Sequence, residues 1–141
     1  MRLLSDDPIS SGRGDVANAD DHPVYAKALD EISDSPGNEL VVLARPENVV
    51  VGMLQLTLIP GMARRGSTRL LVEAVRIASE ERSVGIGDAL MRWVVERAAI
   101  ELHASLVQLT SDAARTDAHR FYRRLGFTDS HLGFKYSVQV P

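Results

Sequence analysis

The sequence of 141 residues contains no cysteine. This absence excludes disulfide bonds, a thiol nucleophile and thiolate metal ligands. It gives little information about the compartment, although the chain needs no oxidising environment to fold.

The chain also lacks a basic excess and a long apolar run. Its 16 Lys and Arg residues and 19 Asp and Glu residues give a net charge of −3, whereas a general nucleic-acid binder normally carries a basic excess. The longest apolar-rich run, Val49 to Ile59, is too short to span a bilayer, and no basic start precedes an apolar signal core. We therefore expect a cytoplasmic protein with no nucleic-acid or membrane partner.

The amino-acid composition is typical of a globular protein. Apolar residues make up 45% of the chain and charged residues 25%. The length suits one domain with a real hydrophobic core, and no internal repeat or low-complexity tract divides it.

Hydrophobic periodicity predicts an α+β order of elements. A helix begins near Asp21, three strands form an antiparallel meander, and a strand–helix–strand unit then adds a parallel pairing with a right-handed crossover. The predicted strands cover Glu39 to Ala44, Val49 to Ile59, Ser67 to Ala78 and Ser105 to Thr110. Two further helices are predicted, one from Gly87 to about His103 and one that ends at Leu125. Phe127 and the run from Phe134 to Val140 are predicted to supply the closing β-structure. This order does not match a doubly wound sheet, and the three-glycine dinucleotide fingerprint is absent.

A glycine-containing turn, Arg82 to Gly87, separates a β-like run from a strongly helical run. The first N–H groups of a helix have no intrahelical partner, and the helix dipole adds about half a positive charge there. Gly85 and Gly87 lack a Cβ, so a phosphate can approach the main chain, and Arg82 adds a permanent cation. The turn is a candidate anion site, although a plain turn before an amphipathic helix explains the same residues.

A second motif strengthens that interpretation. A short helix from Ala118 to Leu125 is stopped by Gly126. The chain then reads Arg-x-x-Gly-x-Gly, a helix, a strand, and Ala-x-x-x-Tyr-x-x-x-Gly-Phe. This combination resembles the GNAT superfamily of acyl-CoA-dependent N-acyltransferases, over roughly Glu39 to Tyr136. The resemblance implies an α+β fold with a mixed central sheet, an antiparallel meander plus one parallel βαβ pairing, flanked by helices.

The resemblance also implies a domain organisation. Residues 1–141 are expected to form a single N-acetyltransferase-like domain, with the acyl-CoA-binding core in 39–136 and a partial first helix plus an acidic loop in 1–21. The family's usual N-terminal strand is expected to be missing or shortened, because Met1 to Ser5 is too short to supply it. The strand from Glu39 to Ala44 then becomes an exposed edge, which invites pairing with another chain, so a homodimer is one expectation.

Acetyl-CoA is the co-substrate that the resemblance implies. In the family, the pantetheine arm lies between two splayed strands and pairs with free backbone groups of the first strand. By position these groups belong to Val75, Arg76 and Ile77. The pyrophosphate is expected on the turn formed by Arg82, Ser83, Val84, Gly85, Ile86 and Gly87. Ser83 replaces the family's usual glycine, and Asp88 is expected to point outward because an inward carboxylate would repel a phosphate.

Two later positions are also assigned to the cofactor by the resemblance. Ser111 ends the strand after the helix, and Arg115 stands where the family often has an asparagine, from which it could reach a CoA phosphate. His119 is either a cofactor contact, a modifier of Tyr122 or a surface residue. The four histidines show no metal-ligand spacing, so we expect no metal.

The implied reaction is direct attack of a primary amine on the thioester. Tyr122 matches the family's tyrosine and is the candidate proton donor to the departing thiolate. A phenol has a reference pKa near 10, above that of a thiol, so the donation needs help from its environment. Packing of the Tyr122 ring beside Phe121 is the alternative interpretation.

Glu73 is the candidate general base. Strand alternation is expected to place its side chain on the same side as those of Val75 and Ile77, where burial would raise its pKa. A structural pairing with an arginine such as Arg69 is the alternative. The oxyanion donor is expected to be the backbone N–H of Val75 or Arg76.

The leading hypothesis is an acetyl-CoA-dependent N-acetyltransferase acting on an amine of a small molecule or peptide. A non-catalytic acyl-CoA-binding or regulatory domain of the same fold is one alternative, and an interaction module without a CoA role is another. The acceptor stays open, because the acidic first loop hints at a cationic substrate whereas Arg64 and Arg65 hint equally at a carboxylate or phosphate.

Overall fold

The computed structural model of the protein describes residues 1–139. These residues group into two compact units, one from Met1 to Leu109 and one from Thr110 onwards. The first unit contains every strand of the described chain, and the second contains its last helix.

The first unit is built on a four-stranded sheet with the order β1–β2–β3–β4. The first three strands pair antiparallel, and β3 pairs with β4 in parallel. The strands are β1 (Asn38–Ala44), β2 (Val50–Ile59), β3 (Arg69–Ile77) and β4 (Leu106–Leu109). The predicted meander followed by one parallel pairing is therefore confirmed.

Helices precede the sheet and connect its last two strands. The α-helices before the sheet are α1 (Arg2–Ser5), α2 (Pro8–Ser11) and α3 (His22–Asp34). The connection between β3 and β4 contains α4 (Ile86–Trp93), a π-helical turn (Val94–Ala98) and α5 (Ala99–Glu101). In the second unit lies α6 (Thr116–Arg124). Helix α2 begins where the Asp7 side chain accepts a hydrogen bond from the Ser10 N–H at 2.8 Å, a local capping reason for its start.

Two predictions about irregular segments need correction. The stretch from Asp6 to Asp21 is not only a loop, because it contains α2 and a 3₁₀ turn, Ala19–Asp21. The prediction of closing strands is wrong within the described chain, because residues 127–139 form no strand. Apolar side chains alternate there, but Phe134 and Tyr136 are each 91% exposed and lack the packing that stabilises a strand. Val140 lies outside the described residues.

The core of the first unit lies on one face of the sheet. Cross-strand neighbours Leu56 and Val72 share that face with Leu54 and Leu70, and all four side chains are almost completely buried. The predicted helical stripe is buried as well, as Leu90, Val94 and Ala98 show. Burial of these two surfaces fixes the position of β3 and of the helix that follows it.

Strand β1 forms one edge of the sheet within the described chain. This position agrees with the edge expected from the sequence. Pairing of this edge with a second copy stays a prediction that sedimentation in dilute solution tests. A monomer with the edge open would contradict it.

Candidate active site

Strand β3 contains a β-bulge at Ala74. Across from it, Gln55 of β2 lies opposite Glu73, but Met53 lies opposite Arg76, so β3 has one extra residue in this stretch. Ala74 has a φ of 50°, in the left-handed region. A bulge bends its strand and reverses the alternation of the residues beyond it.

A gap opens beside β3 immediately before the bulge. The parallel pairing joins Arg69–Val72 to Leu106–Leu109 and ends there, whereas β3 continues to Ile77. Among the described residues, the second half of β3 therefore has no neighbouring strand on that side. Such a half-paired strand offers main-chain donors and acceptors to an extended ligand.

The hydrogen-bond pattern identifies the groups that face this gap. The Ala78 N–H donates to the Val51 carbonyl at 2.9 Å, so even-numbered residues at this end of β3 bond to β2. Arg76 belongs to that set. The N–H and C=O groups of Val75 and Ile77 consequently point into the gap, while the backbone of Arg76 points towards β2.

Two arginine side chains already bond to this free edge. Arg76 Nη1 donates to the Val75 carbonyl at 2.8 Å, and Arg82 Nε donates to the Ile77 carbonyl at 3.2 Å. Each carbonyl oxygen has a second lone pair. Both oxygens can therefore still accept a hydrogen bond from a ligand.

The turn after β3 presents N–H groups at the start of α4. Gly85 is the N-cap with a φ of 88°, and the first helical bond runs from the Ala89 N–H to the Gly85 carbonyl at 2.9 Å. The three N–H groups after Gly85 therefore have no acceptor inside the helix. No described atom lies within 4 Å of where a Cβ at Gly85 would be, so an anion can approach.

Asp88, the acidic residue at the start of α4, points away from the turn. Asp88 accepts a hydrogen bond from Arg92 Nε at 2.7 Å, one helical turn further on. This is the outward orientation expected from the sequence. The carboxylate thus favours the helix N-terminus without occupying the anion position.

Arg82 joins the turn to the end of β3 and to the N-terminal segment. Its Nε bonds to β3, as above, and its Nη2 donates to the Asp6 carbonyl at 3.2 Å. The Asp6 carboxylate lies 3.7 Å from Nη2 and accepts the Ser79 N–H at 2.7 Å. The bond from Ser79 is the main cause of a lowered pKa of Asp6, and Arg82 adds to it. Arg82 therefore holds the turn in place in addition to supplying positive charge.

A second ion pair holds the segment directly before the turn. Glu81 is 5% exposed, and its carboxylate pairs with Arg45 in the connection between β1 and β2. Sequence reasoning missed Glu81, because nothing in the pattern separates it from the neighbouring exposed acids. It missed the role of Asp6 as well, because its partners lie more than 70 residues away.

Glu73 lies opposite Gln55 and is exposed, so the burial considered from the sequence is absent. The bulge separates it from Val75 and Ile77, so the expectation that the three share a side is wrong. Glu73 instead shares a face with Leu71 and Arg69, which precede the bulge. In the part of the chain that the structure describes, it forms no ion pair with Arg69, so its carboxylate is available to a substrate.

The second unit contains Tyr122. Its ring packs edge-on against Phe121, with centroids 5.1 Å apart, and against Phe127 at 5.8 Å. The ring packing considered from the sequence is therefore present. These ring contacts hold the Tyr122 ring in place, and they do not involve its hydroxyl oxygen.

The other predicted residues of this unit lie before and within α6. Ser111 Oγ is buried and has no hydrogen-bond partner among the described residues. Arg115 is the N-cap of α6. His119 Nε2 lies 2.9 Å from the Asp112 carbonyl and ties the helix to the preceding segment.

The comparison with protein families decides the identity of the chain. Residues 6–127 match the model of the "Acetyltransferase (GNAT) family". The chain belongs to this family. Members of this family generally use acetyl-CoA as co-substrate.

Solved structures of other proteins share the fold of this chain. A crystal structure of a transcriptional regulator from Bacillus halodurans C-125 is 40% identical, with a TM-score of 0.87 over 97% of this chain and 89% of that one. A Trypanosoma brucei acetyltransferase is 20% identical, with a TM-score of 0.72 over 97% and 89%. Glucosamine-6-phosphate N-acetyltransferase from Arabidopsis thaliana is 14% identical, with a TM-score of 0.75 over 98% and 88%. The last two show the fold alone.

A curated relative matches a shorter segment. It is an aminoalkylphosphonate N-acetyltransferase from Salmonella typhimurium, 42% identical over 53 residues, which are 38% of this chain. The match spans about a third of that relative's length, 34%.

Most of the acidic side chains near the N-terminus of this GNAT acetyltransferase form hydrogen bonds within the protein. The Tyr25 hydroxyl donates to Asp15 at 2.5 Å, and this hydrogen bond raises the pKa of Tyr25 to about 12. Asp6 and Asp7 serve the contacts already described. These carboxylates act as structural groups, which weakens the sequence-based hint of a cationic acceptor.

A mostly apolar cavity of about 350 Å³ opens between β1 and α4. Val41, Val42 and Leu43 of β1 line it together with Ala89, Leu90 and Trp93 of α4. It is adjacent to β1, the edge opposite β4, and offers no group that acyl transfer needs. Within residues 1–139, no helix is long and apolar enough to cross a membrane, and no group of three His, Asp or Glu side chains could hold a metal ion.

Proposed function

We propose that this GNAT acetyltransferase moves the acetyl group of acetyl-CoA to a primary amine of a small molecule or peptide. The observation that carries the proposal is the free edge of β3 at Val75 and Ile77, which leads directly into an N–H-rich turn. An extended amide-containing arm with a pyrophosphate at one end fits that order of groups. The name of the curated relative supports N-acetyl transfer.

Each part of the donor has a candidate partner. The N–H and C=O groups of Val75 and Ile77 are suited to the amides of pantetheine. The turn from Ser83 to Gly87, held in place by Arg82, is suited to the pyrophosphate. Ser111 and Arg115 are further candidates for cofactor contacts, proposed on the family resemblance.

The acceptor amine must lose a proton, and the departing sulfur must gain one. Glu73 is the proposed base, because its carboxylate is exposed and unpaired within the described chain. The Val75 N–H faces the gap and is the proposed donor to the oxyanion as the C–N bond forms and the C–S bond breaks. Tyr122 is the proposed acid on the basis of its motif position.

Turnover of two variants tests these roles. Glu73→Gln and Tyr122→Phe should each lower kcat by about 10²–10⁴-fold, the usual range for a general acid or base. Glu47→Gln, a change at another exposed glutamate, is the matched control and should leave kcat unchanged. Acetyl-CoA should still stabilise all three variants. Wild-type turnover in both Glu73→Gln and Tyr122→Phe would show that the roles are wrongly assigned.

A regulatory acyl-CoA-binding domain is the second candidate function. The structure from Bacillus halodurans, 40% identical over nearly all of this chain, is described as a transcriptional regulator. This alternative predicts stabilisation by acetyl-CoA without acetylation of any amine. An interaction module predicts neither effect.

A further inference from the structure

Three arginines stand apart from the others in the described chain. Elsewhere, arginines such as Arg45 and Arg92 pair with carboxylates. Within residues 1–139, the side chains of Arg64, Arg65 and Arg69 make no hydrogen bond, ion pair or ring contact. Arg64 and Arg65 lie in the connection from β2 to β3, and Arg69 is the first residue of β3, so this short stretch forms a cluster of unpaired positive charge in a protein of net charge −3.

The backbone under two of these arginines is strained. Arg64 has φ 55° and ψ 41°, and Arg65 has φ 62° and ψ 41°, so two consecutive residues with a Cβ are left-handed. This region favours glycine, and neighbouring residues with side chains rarely occupy it together. Strain of this kind is concentrated at ligand-binding and active sites. It provides an observation independent of the missing charge partners.

The register of β3 connects this cluster with the proposed base. Arg69, Leu71 and Glu73 precede the bulge and alternate onto one face, opposite Ile59, Thr57 and Gln55. The Cα atoms of Arg69 and Glu73 are about 13 Å apart, from a rise of roughly 3.3 Å per residue. An arginine side chain leaning along the strand shortens this span. The half-buried Leu71 lies between the two charged groups and offers an apolar surface to a short carbon chain.

We propose that Arg64, Arg65 and Arg69 bind an oxyanion of the acceptor. The substrate class is then a small amine that also carries a carboxylate, phosphonate or phosphate group. Guanidinium groups suit these anions because their planar donors bind two oxygens at once. The inference rests on the proposed function, since it places the amine of this molecule at Glu73.

Matched acceptors test the proposal. Kinetics are measured with β-alanine, with its neutral amide β-alaninamide, and with 2-aminoethylphosphonate. The wild-type kcat/KM should be at least about tenfold higher for the better of the two anionic amines than for the amide, the effect of one charge-assisted hydrogen bond. The acceptor with the higher kcat/KM, β-alanine or 2-aminoethylphosphonate, also identifies which anion the site prefers. Equal kcat/KM for the amide and both anionic amines would overturn the proposal.

Two sets of variants separate the site from general effects. Arg64→Gly with Arg65→Gly removes both cations and relieves the left-handed strain, so the fold should persist. Arg69→Gln removes the third cation. Each should lower kcat/KM for the anionic amine by about tenfold and leave that for the amide unchanged. Arg97→Gln, on the exposed surface of the helix, removes a positive charge elsewhere and should change neither value.

Direct binding distinguishes failure of this inference from failure of the proposed function. If no amine is acetylated, the proposed function fails, and calorimetric titrations of β-alanine and of 2-aminoethylphosphonate into the protein with CoA present still test the site. Binding by the wild type that is lost in the double glycine variant supports the anion site. Binding of neither compound by the wild type, or equal binding by the variant, overturns it.

Discussion

At the scale of single residues, the turn before α4 depends on backbone conformations that side chains disfavour. Ser83 has a φ of 68° and Gly85 a φ of 88°. The glycine suits its position, whereas the serine replaces a glycine usual in the family. Ser83 therefore retains strain in the segment that we assign to the pyrophosphate.

Replacing Ser83 by glycine should stabilise the protein. Relief of the left-handed conformation outweighs the added flexibility of the unfolded chain, for a gain of about 0.5–1 kcal/mol in the free energy of unfolding. Urea denaturation measures the change. Ser67→Gly is the matched control, because Ser67 has a φ of −72° and its replacement should destabilise. A loss of stability in Ser83→Gly would contradict the assigned strain.

The single-residue predictions from sequence succeeded where a local rule applies. Gly85 was expected in the turn that opens the helix, and Asp88 was expected to point outward, because both follow from helix-end geometry. The face of Glu73 was predicted wrongly. Ala74 adopts a positive φ that alanine does not signal, so nothing in the sequence marks the bulge that reverses the alternation.

At the scale of elements, the N-terminal helical turns hold the end of β3. Leu3 packs with Val51 and Ala78 in a small buried cluster. Asp6 accepts the Ser79 N–H and faces Arg82. The first helices thus support the anion-binding turn, a role that sequence reasoning left out because it depends on contacts distant along the chain.

The Asp6 contacts make stability depend on pH. The folded state lowers the pKa of Asp6, so its contribution is complete above the unfolded value near 4 and is lost as pH falls through the folded pKa. Asp6→Asn should therefore be less stable than wild type at pH 7, and the difference should shrink below about pH 4. Urea denaturation at pH 7 and pH 3 measures both values.

The matched control for this prediction is Asp20→Asn, a change at an exposed aspartate of the same segment. It should alter stability little at either pH. A difference between Asp6→Asn and wild type that is the same at pH 3 and pH 7 would show that the carboxylate charge is not the cause.

At the scale of the whole molecule, the order of elements was enough to predict the sheet. Alternating and helical patterns located all four described strands to within a few residues, because the core face of each element must be apolar. The closing strands were not predictable in the same way. The residues from Phe134 to Val138 alternate as a strand should, yet a strand also needs a neighbour, and periodicity does not report one.

The central claim is that the gap beside β3 and the turn after it bind acetyl-CoA. Thermal unfolding with acetyl-CoA, free CoA or NAD tests it most directly, because a ligand that binds only the folded state raises stability by about 2.7 kcal/mol at a hundredfold excess over Kd. We predict stabilisation by acetyl-CoA and by CoA, and none by NAD at the same concentration. Absence of stabilisation by either CoA species would contradict the account.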